Sequence, residues 1–136
     1  MKKALTFTAI LIIGGVLYLN YLAKKYDLKP LLKYEDIRMP IGLNCSTVRI
    51  GTFETEKFYI ERTDSRQIHT NKLTGDKKEY IVNWKGNCEY VLISTMDETD
   101  ILRVKITAVN SDNYGCYIIS DKHAHNYANF ASIKIL

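Results

Sequence analysis

Three cysteines are the residues of this chain whose chemistry depends most on spacing and compartment. Cys45 precedes the first predicted strand, Cys88 begins the fifth, and Cys116 lies within a later one. Cysteines at two strand ends beside turns favour a Cys45–Cys88 disulfide if the domain is exported to an oxidising compartment. Closing that loop would stabilise the fold by about 4 kcal/mol, and Cys116 would be a buried free thiol. Three reduced core cysteines are the alternative.

No residue pattern predicts a catalytic or metal site. The cysteines lack the CxxC-type spacing of zinc ligands, and no histidine is spaced to activate a nucleophilic thiol. His123 and His125 would point to one side of an extended segment as half of a metal site, with His69 or Asp121 as the third ligand. A solvated loop with incidental histidines is the stronger interpretation. The sequence therefore predicts a non-enzymatic protein without metal or cofactor.

Aromatic residues offer the remaining binding chemistry. The chain has ten Tyr and one Trp, which are large apolar side chains with a polar tip. If Tyr80, Trp84 and Tyr90 point into a barrel, they would line a cavity for a small apolar ligand. They would equally serve as ordinary core, and a filled interior is the favoured state for so small a barrel.

Alternation of apolar and polar residues with a period of two predicts the strands that carry these side chains. The strands are expected at residues 47–53, 58–63, 67–71, 78–84, 88–94, 101–109, 114–119 and 130–135. Short, evenly spaced strands without long helices between them indicate an all-β fold, a single antiparallel meander of seven or eight strands. Such a meander either closes into a small barrel or splits into a sandwich of two sheets.

The first 25 residues predict membrane attachment. Lysine pairs at 2–3 and 24–25 bracket an uncharged run over residues 4–19. As a helix, residues 4–23 would span about 30 Å, roughly the hydrocarbon core of a bilayer. Tyr21 would occupy the third position before a cut after Ala23, where signal peptidase prefers a small residue. An uncleaved N-terminal membrane helix is therefore favoured over a cleaved signal peptide, and a buried soluble helix comes third.

The orientation of the membrane segment follows from two opposing features. The lysines after the apolar run outnumber those before it, which by the positive-inside rule would keep the domain in the cytoplasm. The short basic head and abrupt apolar run are typical of export signals and favour an inner-membrane anchor with the domain in the periplasm. Secretion after cleavage is the alternative. The chain then divides into an anchor at 1–25, a linker with room for a short helix at 26–44, and a β-domain at 45–136.

The charge distribution argues against a nucleic-acid partner. The chain has 19 basic and 15 acidic residues. Five lysines and one acidic residue precede Pro30, which leaves 14 of each sign in the remainder. Nucleic-acid modules need a clustered cationic surface, whereas the charges here are neutral in sum and interleaved.

One pattern, W-x3-C-x-Y-x-L at residues 84–92, has a specific spacing. With Cys45 and the segments 51–53, 60–68 and 82–84, it resembles a family of small exported β-proteins of Bacteroidetes-type bacteria whose function is unassigned. The resemblance covers residues 45–109 and implies a lipocalin-like meander fold and a location in the cell envelope. Some members carry the label DNA topoisomerase IV, which a neutral domain of this size without a P-loop-like glycine run does not support.

Two classes of function follow from these features. The first is a membrane-tethered, non-enzymatic envelope protein that acts as a binding or protein-interaction module through its barrel mouth or a sheet face. The alternative is a lipocalin-like carrier of a small apolar ligand inside the barrel. The expected partners are the membrane, through the N-terminal helix, and an envelope protein or an apolar small molecule.

Overall fold

The computed structural model of the chain describes residues 17–18, 32–122 and 126–136. The chain divides into two compact units, Met1–Pro30 and Leu31–Leu136, and the second contains the sheet. The predicted membrane helix lies outside the described residues, apart from Leu17 and Tyr18. Within the described ranges, no helix is both long enough and apolar enough to cross a membrane.

Eight antiparallel strands close into a barrel. The strands of the second unit are β1 Leu32–Lys33, β2 Gly51–Glu54, β3 Phe58–Arg62, β4 Arg66–Asn71, β5 Lys77–Trp84, β6 Glu89–Ser94, β7 Ile101–Val109, β8 Asn113–Ser120 and β9 Tyr127–Ile135. Each strand from β2 to β8 pairs with the next, and β9 returns to β2 with Phe53 opposite Ile135. The all-β antiparallel prediction is confirmed, and of its two forms the structure has the barrel. The eight barrel strands are therefore β2 to β9. The two-residue strand β1 lies outside this ring and pairs with the first residues of β9.

The strands follow from their period of two. In β7, Val104 and Ile106 are buried inside the barrel. Arg103, in the same strand, faces outward and is exposed. The β4–β5 turn is set by Asn71. Its Oδ1 accepts hydrogen bonds from the backbone N–H groups of Leu73 and Thr74. Gly75 completes this turn at φ +73°, a conformation that costs glycine little because it has no Cβ.

One end of the barrel is plugged by residues 45–50, and we call it the closed end. A strand is expected from residue 47, but Ser46–Val48 forms a 3-10 turn and β2 begins only at Gly51. Val48 is fully buried, and its carbonyl oxygen accepts a hydrogen bond from Arg62 at 2.6 Å. A disulfide joins Cys45 to Cys88, which immediately precedes β6, with the Cα atoms 5.4 Å apart. These tertiary constraints outweigh the local β propensity of the segment.

The part of the linker that the structure describes, from Leu32 onward, packs against the outside of the barrel. Residues 32–37, part of the segment with room for a helix, form β1 and one 3-10 turn at Tyr34–Asp36. The Tyr34 N–H donates to the carbonyl of Asn126 at 2.9 Å, and the Tyr34 carbonyl accepts from Lys105 Nζ at 2.8 Å. Because these backbone groups bond to the barrel, they are not available for an α-helical ladder.

Candidate functional site

A cavity of about 270 Å³ occupies the half of the barrel opposite the closed end. We call this the open end; the β2–β3, β4–β5 and β6–β7 connections lie there. Its lining is mainly aliphatic and aromatic and includes Phe58, Ile60, Leu92, Leu102, Val104, Ile118, Ala131 and Ile133. Phe58, Leu102 and Ile118 are partly exposed, which is consistent with a cavity that reaches the surface at this end. The interior is therefore packed at the closed end and hollow at the open end.

Two of the three aromatic residues predicted for the ligand site line this cavity. Tyr80 and Tyr90 are both buried and form part of its wall. Trp84 is not among the lining residues. The centroid of its ring lies 4.7 Å from that of the Tyr90 ring, and the Cζ atom of the Arg49 guanidinium lies 4.8 Å from the centroid of the Trp84 ring. Trp84 sits at the end of β5, beside the plug, because β5 runs from the open end to the closed end.

The most unusual group in the barrel is the guanidinium of Arg62, which is only 2% exposed. Its Nε donates to Gln67 Oε1 and its first terminal nitrogen to the Val48 carbonyl, both at 2.6 Å. Its second terminal nitrogen donates to the hydroxyls of Tyr90 and Tyr114, both at 2.8 Å. All four acceptors are neutral groups, so within the described residues the charge of Arg62 is solvated by dipoles and has no carboxylate partner.

Aromatic rings complete the surroundings of Arg62. Its Cζ atom lies 4.8 Å from the Phe53 ring centroid and 4.6 Å from that of Tyr90. A cation over a ring face is attracted by the ring quadrupole, and the attraction grows when water is excluded. Burial raises the pKa values of Tyr90 and Tyr114, so both hydroxyls stay neutral. Arg62 thus remains a buried positive charge below the floor of the cavity.

Gln67 connects this charge to the cavity wall. Gln67 is 2% exposed, and its Nε2 lies 2.6 Å from the Nε2 of His69. The His69 ring lies between two aromatic rings of the cavity lining, with centroids 5.6 Å from Phe58 and 4.9 Å from Tyr80. The hydrogen bonds therefore run without a break from Arg62 through Gln67 to His69 in the wall.

His69 is neutral at pH 7. Its pKa is lowered to about 4, first by burial and then by the positive charges of Arg62 and Lys78. Lys78 lies opposite His69 across the β4–β5 ladder and forms an ion pair with Asp100 at the open end. The polar part of the cavity is thus an uncharged imidazole in an electrostatically positive environment.

The third cysteine is buried in the core. Cys116 is fully buried and reduced, and burial raises the pKa of its thiol to about 12. A thiol that stays protonated is a poor nucleophile and a poor metal ligand. The structure thus pairs Cys45 with Cys88, as the sequence favoured, and leaves Cys116 as a core side chain.

The structure describes only two of the four residues considered for a metal site, His69 and Asp121. His123 and His125 lie outside the described residues. His69 lies in the cavity, and Asp121 accepts two hydrogen bonds from Arg103, at 2.9 and 3.0 Å. Across residues 32–122 and 126–136, no cluster of three His, Cys, Asp or Glu side chains is placed to hold a metal ion.

Arg62 and Gln67 were not among the site residues predicted from the sequence. The alternation of β3 does indicate an inward Arg62, because positions 58, 60 and 62 face the same side and Phe58 and Ile60 line the cavity. Charged residues are almost never fully buried without a partner, so the pattern is normally assigned to an exposed strand end. Chemically, the arrangement suits reversible binding of an apolar molecule.

Comparisons of the chain with protein-family models, curated proteins and solved structures found no match in any of the three.

Proposed function

We propose that the barrel is a non-enzymatic binding domain that holds a small, mainly apolar ligand in the cavity at its open end. The observation that carries this proposal is a hollow of about 270 Å³ with a mainly aliphatic and aromatic wall. Apolar cavities that reach the surface of a rigid scaffold are the usual form of small-molecule sites. A lipocalin-like carrier, one of the two functions predicted from the sequence, is therefore the better-supported reading.

The cavity volume limits the ligand. It is nearly twice the roughly 150 Å³ of an engineered cavity that binds benzene. A hydrocarbon chain of about eight carbons, or one to two rings, is therefore the appropriate size. Each buried CH2 group contributes about 0.8 kcal/mol before the costs of association. This is enough for measurable binding but not for very tight binding.

Membrane attachment remains part of the proposal. Residues 1–25 would anchor the domain to the inner membrane with the barrel in the periplasm, where a Cys45–Cys88 disulfide is chemically stable. Binding of an envelope protein to the barrel mouth or a sheet face stays a prediction from the sequence. Crosslinking in intact cells tests it, and recovery of monomer alone would count against it.

Calorimetric titration of the full-length protein with 1-octanol tests the carrier function. Replacing Ala131, which lines the cavity, by Phe fills part of the hollow. We expect Ala131→Phe to weaken octanol binding at least about tenfold, because the chain loses most of its space. Ala108→Phe is the matched control, because Ala108 lies in β7, is exposed to solvent and does not line the cavity. The proposal would be contradicted if neither 1-octanol nor an eight-carbon ligand with a charged end group bound to the wild type, or if both variants lost binding equally.

A further inference from the structure

The hydrogen bonds between Arg62, Gln67 and His69 determine which nitrogen of the His69 ring carries the proton. Arg62 Nε can only donate, so the Gln67 atom that it contacts at 2.6 Å must be the amide oxygen. The amide nitrogen of Gln67 then faces His69 Nε2 as a donor. His69 Nε2 must therefore be the unprotonated acceptor, and the proton of the neutral ring is on Nδ1.

The Nδ1–H group of His69 is a polar donor in an otherwise apolar wall. Within the described part of the chain, the contact with Gln67 is the one hydrogen bond that the His69 ring makes. A neutral imidazole fixed in this tautomer offers a ligand one N–H donor and no acceptor. The cavity therefore favours a ligand whose polar end accepts a hydrogen bond.

The charges around His69 favour a negative acceptor over a neutral one. The charged groups that act on the ring are Arg62, from β3, and Lys78, from β5. Lys78 is paired with Asp100, so Arg62 is the positive charge near the ring that has no carboxylate partner among the described residues. Tyr80 and Tyr90, the other titratable side chains in the cavity wall, are buried hydroxyls. Arg62 has only neutral acceptors, so an anion in the cavity would supply the countercharge that the barrel does not provide.

We propose that the ligand of this cavity is a small amphipathic acid whose carboxylate accepts the hydrogen bond of His69 Nδ1–H. Its hydrocarbon part packs against the aliphatic wall formed by Leu92, Leu102 and Ile118. This inference rests on the proposed carrier function and narrows it to one chemical class of ligand.

Three probes with the same eight-carbon chain test the inference: octanoate, 1-octanol and octylammonium, titrated into the full-length protein at pH 7. We expect octanoate to bind about tenfold or more tightly than octanol, because a charge-assisted hydrogen bond is the stronger kind. Octylammonium, a donor with a positive charge, binds weakest. Equal binding of octanoate and octanol overturns the inference but leaves the carrier function intact. If none of the three binds, the carrier function fails and this inference fails with it.

Two variants and one measurement on the wild type test whether His69 causes the preference for octanoate over octanol. His69→Phe keeps a ring but removes the donor, and we expect it to reduce octanoate affinity to that of octanol. Ile118→Val is the control, since it trims the wall and should leave the octanoate-to-octanol ratio unchanged. Nitrogen NMR of the wild-type His69 ring needs no variant. Octanoate should raise the pKa of His69 and octanol should not; an unchanged pKa with bound octanoate would contradict the inference.

Discussion

The amide nitrogen of Gln67 lies 2.6 Å from Nε2 of His69, and Arg62 fixes the amide in that orientation. Protonation of His69 at Nε2 would place two donors face to face and break this hydrogen bond. It would also add a positive charge to a buried region that already contains Arg62. Burial is the main cause of the lowered pKa of His69, about 4, and the positive charge of Arg62, which also orients Gln67, lowers this pKa further.

The first prediction concerns acid stability. The unfolded chain takes up a proton at His69 near pH 6.5, whereas the folded protein does so only near pH 4. Between these values the unfolded state binds more protons, so the contribution of His69 to stability is lost as the pH falls. We expect wild-type protein to lose about 2–3 kcal/mol of unfolding free energy between pH 7.5 and 4.5 from this group alone.

The His69→Gln variant isolates that contribution from the other titrating groups. Gln at position 69 does not titrate, and the remaining acidic residues and histidines are the same in both proteins. Urea unfolding at pH 7.5 and 4.5 should therefore show a smaller loss in the variant. Identical losses in the two proteins would mean that His69 is not held neutral by its surroundings.

The second prediction concerns Arg62. Arg62→Met removes the donor of four buried hydrogen bonds, and a buried polar group left unsatisfied costs about 1–3 kcal/mol. Relief of the buried charge and new bonds between the hydroxyls would offset part of that cost. We expect a net loss of about 3 kcal/mol of unfolding free energy, measured by urea unfolding at pH 7.5.

Arg66→Met is the matched control for this substitution. Arg66 is 63% exposed and pairs with Glu79 at 2.5 Å on the barrel surface. An exposed ion pair of this kind contributes less than about 1 kcal/mol, so its loss should have a small effect. A similar small effect for Arg62→Met would show that the buried network does not organise the barrel.

The third prediction concerns the cysteines. Denatured, unreduced protein should expose one reactive thiol, that of Cys116, and three after reduction. In the folded protein Cys116 should not react, because it is buried and its thiol pKa is about 12. Reduction of the disulfide should lower the unfolding free energy by about 4 kcal/mol in the chain-entropy model. Three titratable thiols without a reductant would contradict the pairing.

The strands could be predicted from the sequence because they are short and bounded by turn residues, and because several of them, most clearly Ile101–Val109, have a period of two. Ile101–Val109 begins and ends where the alternation does, and the inward positions of Tyr80 and Tyr90 follow from the same parity. The barrel has no long crossover connection, so the order of the strands in the sheet follows their order in the chain. Local patterns were sufficient for this part of the fold.

The plug and the polar network could not be predicted in the same way. Ser46–Val48 has the composition of a strand, but its conformation depends on a disulfide and on a hydrogen bond from Arg62, fourteen residues away. A charged residue in phase with an inward face is normally explained as an exposed strand end. The hollow at the open end depends on side-chain volumes summed over most of the strands, which no single segment of the sequence contains.

Methyl-resolved NMR of the full-length protein titrated with 1-octanol tests the central claim most directly, because it locates the ligand. A ligand in the cavity should shift the methyl signals of Leu92, Leu102 and Ile118 and give magnetisation transfer to the octyl chain. If those signals stay unchanged while the exposed side chains Ile41, Leu73 and Ile81 respond, the barrel interior is not the binding site.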